Sequence, residues 1–108
     1  MIQQKKFDPM AIENMNLSLV QFKSEYNGAC QIVSMIYNDL ERTYKGIVDF
    51  YTVDFEIETI ISETFGVREI PTILFFKNGQ LVDHSIGLVP KNELKDKIEN
   101  ALFNSKNI

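Results

Sequence analysis

Apolar residues in the first half of the chain alternate between short compact runs and helically spaced sets. Residues 17–22 form a mostly apolar run bounded by polar residues, which predicts a strand covered on both faces and central in a sheet. Asn27 can cap a helix that runs to about Tyr44 and whose recurring apolar side chains are Ile32, Val33, Ile36, Tyr37 and Leu40. Residues 47–53 are rich in β-branched and aromatic side chains, so they predict a second strand, parallel to the first.

Three further helices are predicted from the same spacing and from capping residues. Residues 54–65 predict a crossover helix that ends before Gly66 and whose shared apolar face is Ile57, Ile60, Ile61 and Phe65. Residues 90–103 predict a final helix with one apolar face, formed by Leu94, Ile98, Ala101 and Leu102. An aspartate followed by proline predicts a short opening helix over residues 8–14, and whether residues 2–6 add a strand stays open.

A tight hairpin is predicted between the last two helices. Residues 72–77 and 80–86 both read as strands, and the Asn78-Gly79 pair between them suits the positive φ angles of a two-residue turn. We find no internal repeat, low-complexity stretch or linker in the sequence. The order of elements therefore predicts one α/β domain over residues 1–108, with its core at about 17–103.

Composition and charge exclude several classes of function. The chain has 108 residues and a formal net charge of −4 with scattered lysines, so it lacks the basic stripe that binds nucleic acid. Cys30 is the only cysteine, which excludes an intrachain disulfide and a cysteine cluster for zinc or iron–sulfur. We expect no metal and no cofactor. No apolar run has the length of a signal peptide or a membrane span, so we expect no membrane partner and a cytoplasmic location.

Several segments in matching order resemble the thioredoxin family. They are the Tyr26-Asn27-Gly28-Ala29-Cys30 loop after the first long strand, the Val67-Arg68-Glu69-Ile70-Pro71-Thr72 segment, the Phe75-Phe76-Lys77-Asn78-Gly79 run and Gly87. The resemblance covers about residues 17–102. It implies the thioredoxin fold, a central mixed β-sheet of four or five strands flanked by helices.

The sequence departs from the family pattern at the residues that carry its chemistry. Placing the family motif Trp-Cys-Gly-Pro-Cys on this chain puts Tyr26 at the tryptophan, Asn27 at the first cysteine and Cys30 at the second. Gln21 stands where the family has a buried aspartate, and Phe50 where it has a lysine. An asparagine cannot attack a disulfide and a glutamine is no general base. Conventional thioredoxin disulfide reductase activity is therefore not expected.

The resemblance also implies a peptide-binding groove that needs no sulfur chemistry. In thioredoxins a cis-proline, here Pro71 after Ile70, shapes a groove in which backbone groups pair with an extended segment of a client. The residues implied at this groove are Tyr26, Asn27, Gly28, Ala29, Ile70, Pro71, Gly87 and Leu88. The favoured interpretation is a thioredoxin-like module for protein or peptide clients, in thiol-redox or protein-quality pathways.

Two alternatives stay open at this point. Cys30 could act alone as a catalytic thiol, through a mixed disulfide or a sulfenic acid. Against this, we expect Tyr26 and the loop around Pro71 to shield Cys30, and a buried free cysteine is chemically quiet. The other alternative is a structural subunit of a larger assembly. We expect His84 to be a solvated surface residue without a role.

Overall fold

The computed structural model describes residues 5–7 and 16–103, which form a mixed sheet with helices on both faces. Its elements are β1 (Lys5–Lys6), β2 (Leu17–Lys23), α1 (Gly28–Thr43), β3 (Val48–Asp54), α2 (Thr59–Thr64), β4 (Thr72–Lys77), β5 (Gln80–Ile86) and α3 (Lys91–Phe103). The sheet has five strands in the order β1-β3-β2-β4-β5. β1, β3 and β2 are parallel, whereas β4 is antiparallel to β2 and to β5. The predicted fold class is confirmed.

The central strand and the hairpin follow the sequence prediction. β2 lies between β3 and β4, and its first six residues are all buried, as expected for a strand covered on both faces. Asn78 and Gly79 have φ angles of 54° and 79°, which is the backbone conformation of a tight turn between twisted strands. Within β5 the register shifts, since Phe75 faces Asp83 while Phe76 faces Leu81. Val82 is the extra residue of this β-bulge.

The larger of two hydrophobic clusters lies between the sheet and the helices α1 and α3. Its buried members are Leu17, Leu19, Val33, Tyr37, Leu40, Tyr44, Val48, Phe50, Ile73, Phe75, Val89, Leu94 and Ile98. The hydroxyl oxygen of Tyr37 lies within hydrogen-bond distance of the carbonyl oxygens of Leu19 and Tyr51, at 3.0 and 2.7 Å. Burial raises the pKa of this phenol well above its usual range. Tyr37 therefore ties α1 to two neighbouring strands.

The smaller cluster covers the opposite face of the sheet. Its buried members are Phe7, Val20, Phe22, Tyr51, Val53, Val67, Leu74 and Phe76. Phe7 makes edge contacts with the rings of Tyr51 and Phe65, with centroids 5.8 and 5.6 Å apart. Phe65 in turn contacts Phe76 at 5.5 Å. Aromatic packing therefore supplies much of the cover that a long helix gives on the other face.

The predicted helix over residues 54–65 is wrong in extent and in its buried face. α2 has only six residues, and Ile57 and Ile60 are 77% and 79% exposed. The Asp54 carboxylate accepts the N–H groups of Glu56 and Ile57, at 3.0 and 3.2 Å, and this local turn replaces the first helical turn. Of the four apolar residues predicted to share a face, only Ile61 and Phe65 pack against the core.

Three smaller predictions meet different outcomes. Ile32 was expected on the buried face of α1 but is 53% exposed, because the buried stripe is narrower and consists of Cys30, Val33, Tyr37 and Leu40. Whether residues 2–6 add a strand is answered in part, since Lys5–Lys6 form β1. The opening helix predicted over residues 8–14 lies outside the described residues. Among the residues described, no helix is long and apolar enough to cross a membrane.

Candidate functional site

The candidate site lies at one end of the sheet, where strands begin or end and four connecting segments lie side by side. β2 and β3 end here, β4 begins here and β5 ends here, since Phe22 pairs with both Val53 and Thr72, and Thr72 pairs with Ile86. The segments 24–27, 55–58, 65–71 and 87–90 therefore lie at the same end of the molecule, which we call the loop edge. Most of the residues predicted to form the groove belong to these segments.

Asn27 caps α1 at the loop edge. Its side-chain oxygen Oδ1 accepts the N–H of Cys30 at 2.9 Å, and its own N–H donates to the carbonyl of Ser24 at 3.3 Å. The side chain of Gln31 adds a hydrogen bond to the carbonyl of Glu25 at 3.0 Å. These bonds satisfy backbone groups that a helix start leaves open. The Asn27 carboxamide thus serves as a structural cap and carries no nucleophile.

Cys30 lies inside the protein and not in the groove. Only 1% of its surface is exposed, and it belongs to the buried stripe of α1. The predicted burial is confirmed, but the predicted role of Tyr26 in it is wrong. Tyr26 is 89% exposed, so its ring covers little of the protein and lies out in solvent. A client at the protein surface would not reach the Cys30 side chain.

The two positions behind α1 that the resemblance singles out hold no ionisable group. Gln21 is fully buried, and its Nε2 donates to the Ser34 hydroxyl at 2.9 Å. Its Oε1 has no hydrogen-bond partner among the described residues. Phe50 packs in the larger cluster with its ring 5.0 Å from that of Tyr37, centroid to centroid. Neither side chain is able to take up or release a proton here.

The segment before β4 presents free backbone groups at the loop edge. The Ile70–Pro71 peptide bond is cis, Pro71 is buried and Ile70 is half-buried. The N–H of Gly87 donates to the carbonyl of Pro71 at 2.8 Å, and Gly87 has φ of +82°, which favours glycine. No hydrogen bond engages the N–H or C=O of Ile70 within the described part of the chain. Such groups are open to a partner strand.

Exposed apolar side chains surround this segment. Tyr26 and Leu88 are 89% and 61% exposed, and Ile86 ends the neighbouring strand, also exposed. Ile57 and Ile60 are also exposed, and the sequence analysis did not assign them to the site. Their helical spacing with Ile61 and Phe65 instead predicts the buried face of an amphipathic helix. Only the local turn at Asp54 shows that both face solvent.

No metal site is formed by the part of the chain that the structure describes, since it contains no group of three or more suitable side chains. His84 lies on β5 and lines a cavity of about 290 Å³ together with Leu81, Ile86 and Arg68. Its neighbour Asp83 contacts Lys97 at 3.3 Å instead. His84 and Asp83 thus do not act as a pair, in agreement with the alternation of side chains along a strand.

Known proteins with similar sequences belong to the same family that the fold and the matching segments indicate. The thioredoxin family model matches residues 1–100. A chloroplastic M-type thioredoxin of Pisum sativum is 33% identical over 98 residues, which are 91% of this chain and 57% of the relative. A thioredoxin of Rickettsia felis is 36% identical over 84 residues, which are 78% of this chain and 80% of the relative.

The share of each relative that is matched differs between groups. The chain spans about half the length of the plant relatives, 57% for Pisum sativum and 46% for Spinacia oleracea. A thioredoxin of Mycoplasmoides gallisepticum is matched over 80% of its length at 35% identity. The five-stranded mixed sheet, the capped helix at its loop edge and the family match over residues 1–100 lead to one assignment. This chain belongs to the thioredoxin family.

Proposed function

We propose that this chain binds an extended segment of a protein or peptide client along Ile70 and Pro71, without dithiol exchange. The observation that carries the proposal is that the N–H and C=O of Ile70, at the loop edge, make no hydrogen bond within the described residues. A client strand would pair with these two groups, and main-chain pairing of this kind gives affinity with little dependence on side chains. Tyr26 and Leu88 would contact the side chains of the client on either side.

The chemistry of the site favours binding over catalysis. A dithiol reaction needs two sulfurs, and the sequence contains one cysteine. That cysteine is buried, and Asn27 holds the position that the family motif gives to the attacking thiol. Gln21 and Phe50, the two side chains behind α1, cannot take the proton from a thiol. A client would therefore be held and released unchanged, in thiol-redox or protein-quality pathways.

A test of backbone pairing uses three peptides with identical side chains, a parent and two forms that are N-methylated on opposite edges. The first alternates Val and Thr, a composition that favours extended chains. The second carries N-methyl groups on every other residue, which removes the N–H groups along one edge. Amide chemical shifts of the ¹⁵N-labelled protein are followed while each peptide is added in turn.

The proposal predicts that the first peptide shifts the amide signals of Ile70 and Gly87, and that a peptide methylated on its pairing edge does not. A peptide methylated on the opposite edge is the matched control and should bind like the parent. If both methylated peptides shift Ile70 as strongly as the parent, backbone pairing is wrong. If no peptide shifts Ile70 or Gly87, the binding function itself is wrong.

A further inference from the structure

Ile57 at the loop edge and Ile60 in the first turn of α2 are both exposed to solvent. Ile57 and Ile60 are 77% and 79% exposed, more than any other large aliphatic residue in the described part of the chain. We call this pair the isoleucine surface. Burying an isoleucine side chain is worth about 1.5–3 kcal/mol, so leaving two in water forgoes stability that the core would gain. Adjacent exposed apolar residues next to a groove are typical of a contact surface.

Backbone hydrogen bonds connect the segment that carries Ile57 to the end of β2. The N–H of Phe55 donates to the carbonyl of Lys23 at 2.9 Å, which joins this segment to the end of β2. The Asp54 carboxylate accepts the N–H of Ile57 at 3.2 Å, and this bond fixes a turn in which the Ile57 side chain faces solvent. The segment that carries Ile57 is therefore bonded to Lys23 at the end of β2, and the segment that carries Tyr26 begins directly after Lys23.

The charge around the isoleucine surface is strongly one-sided. Segments 23–27 and 54–71 contain six acidic residues and two basic ones, so they account for the whole formal net charge of −4, and the rest of the chain is balanced. The six acids are Glu25, Asp54, Glu56, Glu58, Glu63 and Glu69. An uneven field of this kind selects partners of opposite sign and speeds their approach.

These carboxylates form no ion pair with another side chain in the part of the chain that the structure describes. The ion pairs found among the described residues join Asp39 to Arg42 and Lys91, and Asp83 to Lys97, and none of them includes one of these six acids. Four exposed glutamates of these two segments make no ion pair in the described part of the chain: Glu25, Glu56, Glu63 and Glu69. Their charge remains available to a bound partner.

We infer that the isoleucine surface is a second contact area for the client, and that the bound client segment is both apolar and basic. Its apolar side chains would cover Ile57 and Ile60, and its lysines or arginines would face Glu25 and Glu56. The inference rests on the proposed function, because it names the class of client that the Pro71 groove takes. It excludes acidic segments and polar basic ones as good ligands.

The test compares three fluorescein-labelled peptides of equal length by fluorescence anisotropy. One alternates Val and Lys, one alternates Val and Glu, and one alternates Ser and Lys. We expect the Val–Lys peptide to bind at least about tenfold more tightly than either of the others, which corresponds to about 1.4 kcal/mol. Its advantage over the Val–Glu peptide should shrink at high salt, since exposed charges are screened.

Paired variants separate the two contributions. Replacing both Ile57→Ser and Ile60→Ser should weaken Val–Lys binding, whereas Ile47→Ser, an exposed isoleucine at the opposite end of the sheet, should not. Replacing both Glu25→Gln and Glu56→Gln should weaken Val–Lys binding and reduce its salt dependence. Glu93→Gln, an exposed glutamate in the first turn of α3, is the control for the loss of a charge.

Each outcome has a distinct meaning. Equal or tighter binding of the Val–Glu peptide, or an unchanged affinity of the double isoleucine variant, overturns the inference. Sedimentation that shows a dimer lost in the double isoleucine variant also overturns it, since a second copy would then cover this surface. If all three peptides shift the Ile70 amide signal equally, the proposed function stands and only the choice of client fails. If none shifts it, the proposed function fails first.

Discussion

Helix α1 and the segment 54–71 differ in how they use apolar residues of similar spacing. In α1 the apolar stripe is buried and the helix runs for 16 residues from a side-chain cap. In the second segment the helix has six residues and no side-chain cap, and two of its isoleucines face solvent. Helical spacing therefore shows that a face is apolar, but not what covers it. In α1 the protein core is the cover, and at Ile57 and Ile60 we assign this role to a client.

The largest expected contrast between these regions is in thiol reactivity. Native Cys30 should be almost inert to iodoacetamide and should label at the rate of a free thiol only after denaturation, because it is buried on α1. A thiol placed on the other segment by Ile57→Cys, in a Cys30→Ser background, should label rapidly in the native protein. Mass spectrometry of timed samples measures both rates. Fast labelling of native Cys30 would instead support the alternative of a single working thiol.

Stability should respond to truncation in α1 and hardly at all in α2. Leu40→Ala removes a fully buried side chain and should cost about 2–5 kcal/mol of the free energy of unfolding. Ile60→Ala should change it by no more than about 0.5 kcal/mol, as for an ordinary surface substitution. Urea denaturation followed by circular dichroism measures both. A loss above about 1 kcal/mol for Ile60→Ala would show that another part of the chain already covers this residue.

The caps of the two helices offer a contrast of intermediate size. Asn27→Ala removes the hydrogen bond to the N–H of Cys30 and should cost about 1 kcal/mol, and Asn27→Asp should restore most of it. Glu58→Ala at the start of α2 should cost less, because Glu58 makes no side-chain cap bond to that helix. The same urea titrations give these values. A larger loss for Glu58→Ala than for Asn27→Ala would reverse the comparison.

The smallest expected effect concerns charge. The Lys91 ammonium donates to the Asp39 carboxylate of α1 and, as the main cause, lowers the pKa of Asp39. A carboxyl with a lowered pKa in the folded state stabilises the protein above its unfolded pKa, and this contribution is lost as pH falls through the folded value. Lys91→Ala should therefore lower the melting temperature slightly at pH 7 and lose this effect below about pH 4. Glu63→Gln has no ion pair to lose in the described residues and should show no such loss.

The sequence was sufficient for most of the fold because its local signals agreed with one another. At Asn27 a capping residue, the following buried stripe and the end near Tyr44 all predicted the same helix, which is the one observed. At residues 54–65 the helical spacing of apolar residues is present, but an Asx-type turn at Asp54 takes the place of the first helical turn. The spacing of apolar residues does not reveal this turn. The groove residues predicted from the resemblance lie at the loop edge, whereas Ile57 and Ile60 needed the structure, because exposure is a tertiary property.

The β-bulge at Val82 bears on how the protein behaves at high concentration. β5 is an outer strand of the sheet, and its exposed Leu81 and Val82 would make a flat edge attractive to the same edge of another molecule. The bulge interrupts the regular register between Phe75 and Phe76 and adds local twist. Edge-to-edge aggregation along β5 is therefore disfavoured, and Ile70, where we propose that a client pairs, lies outside that strand.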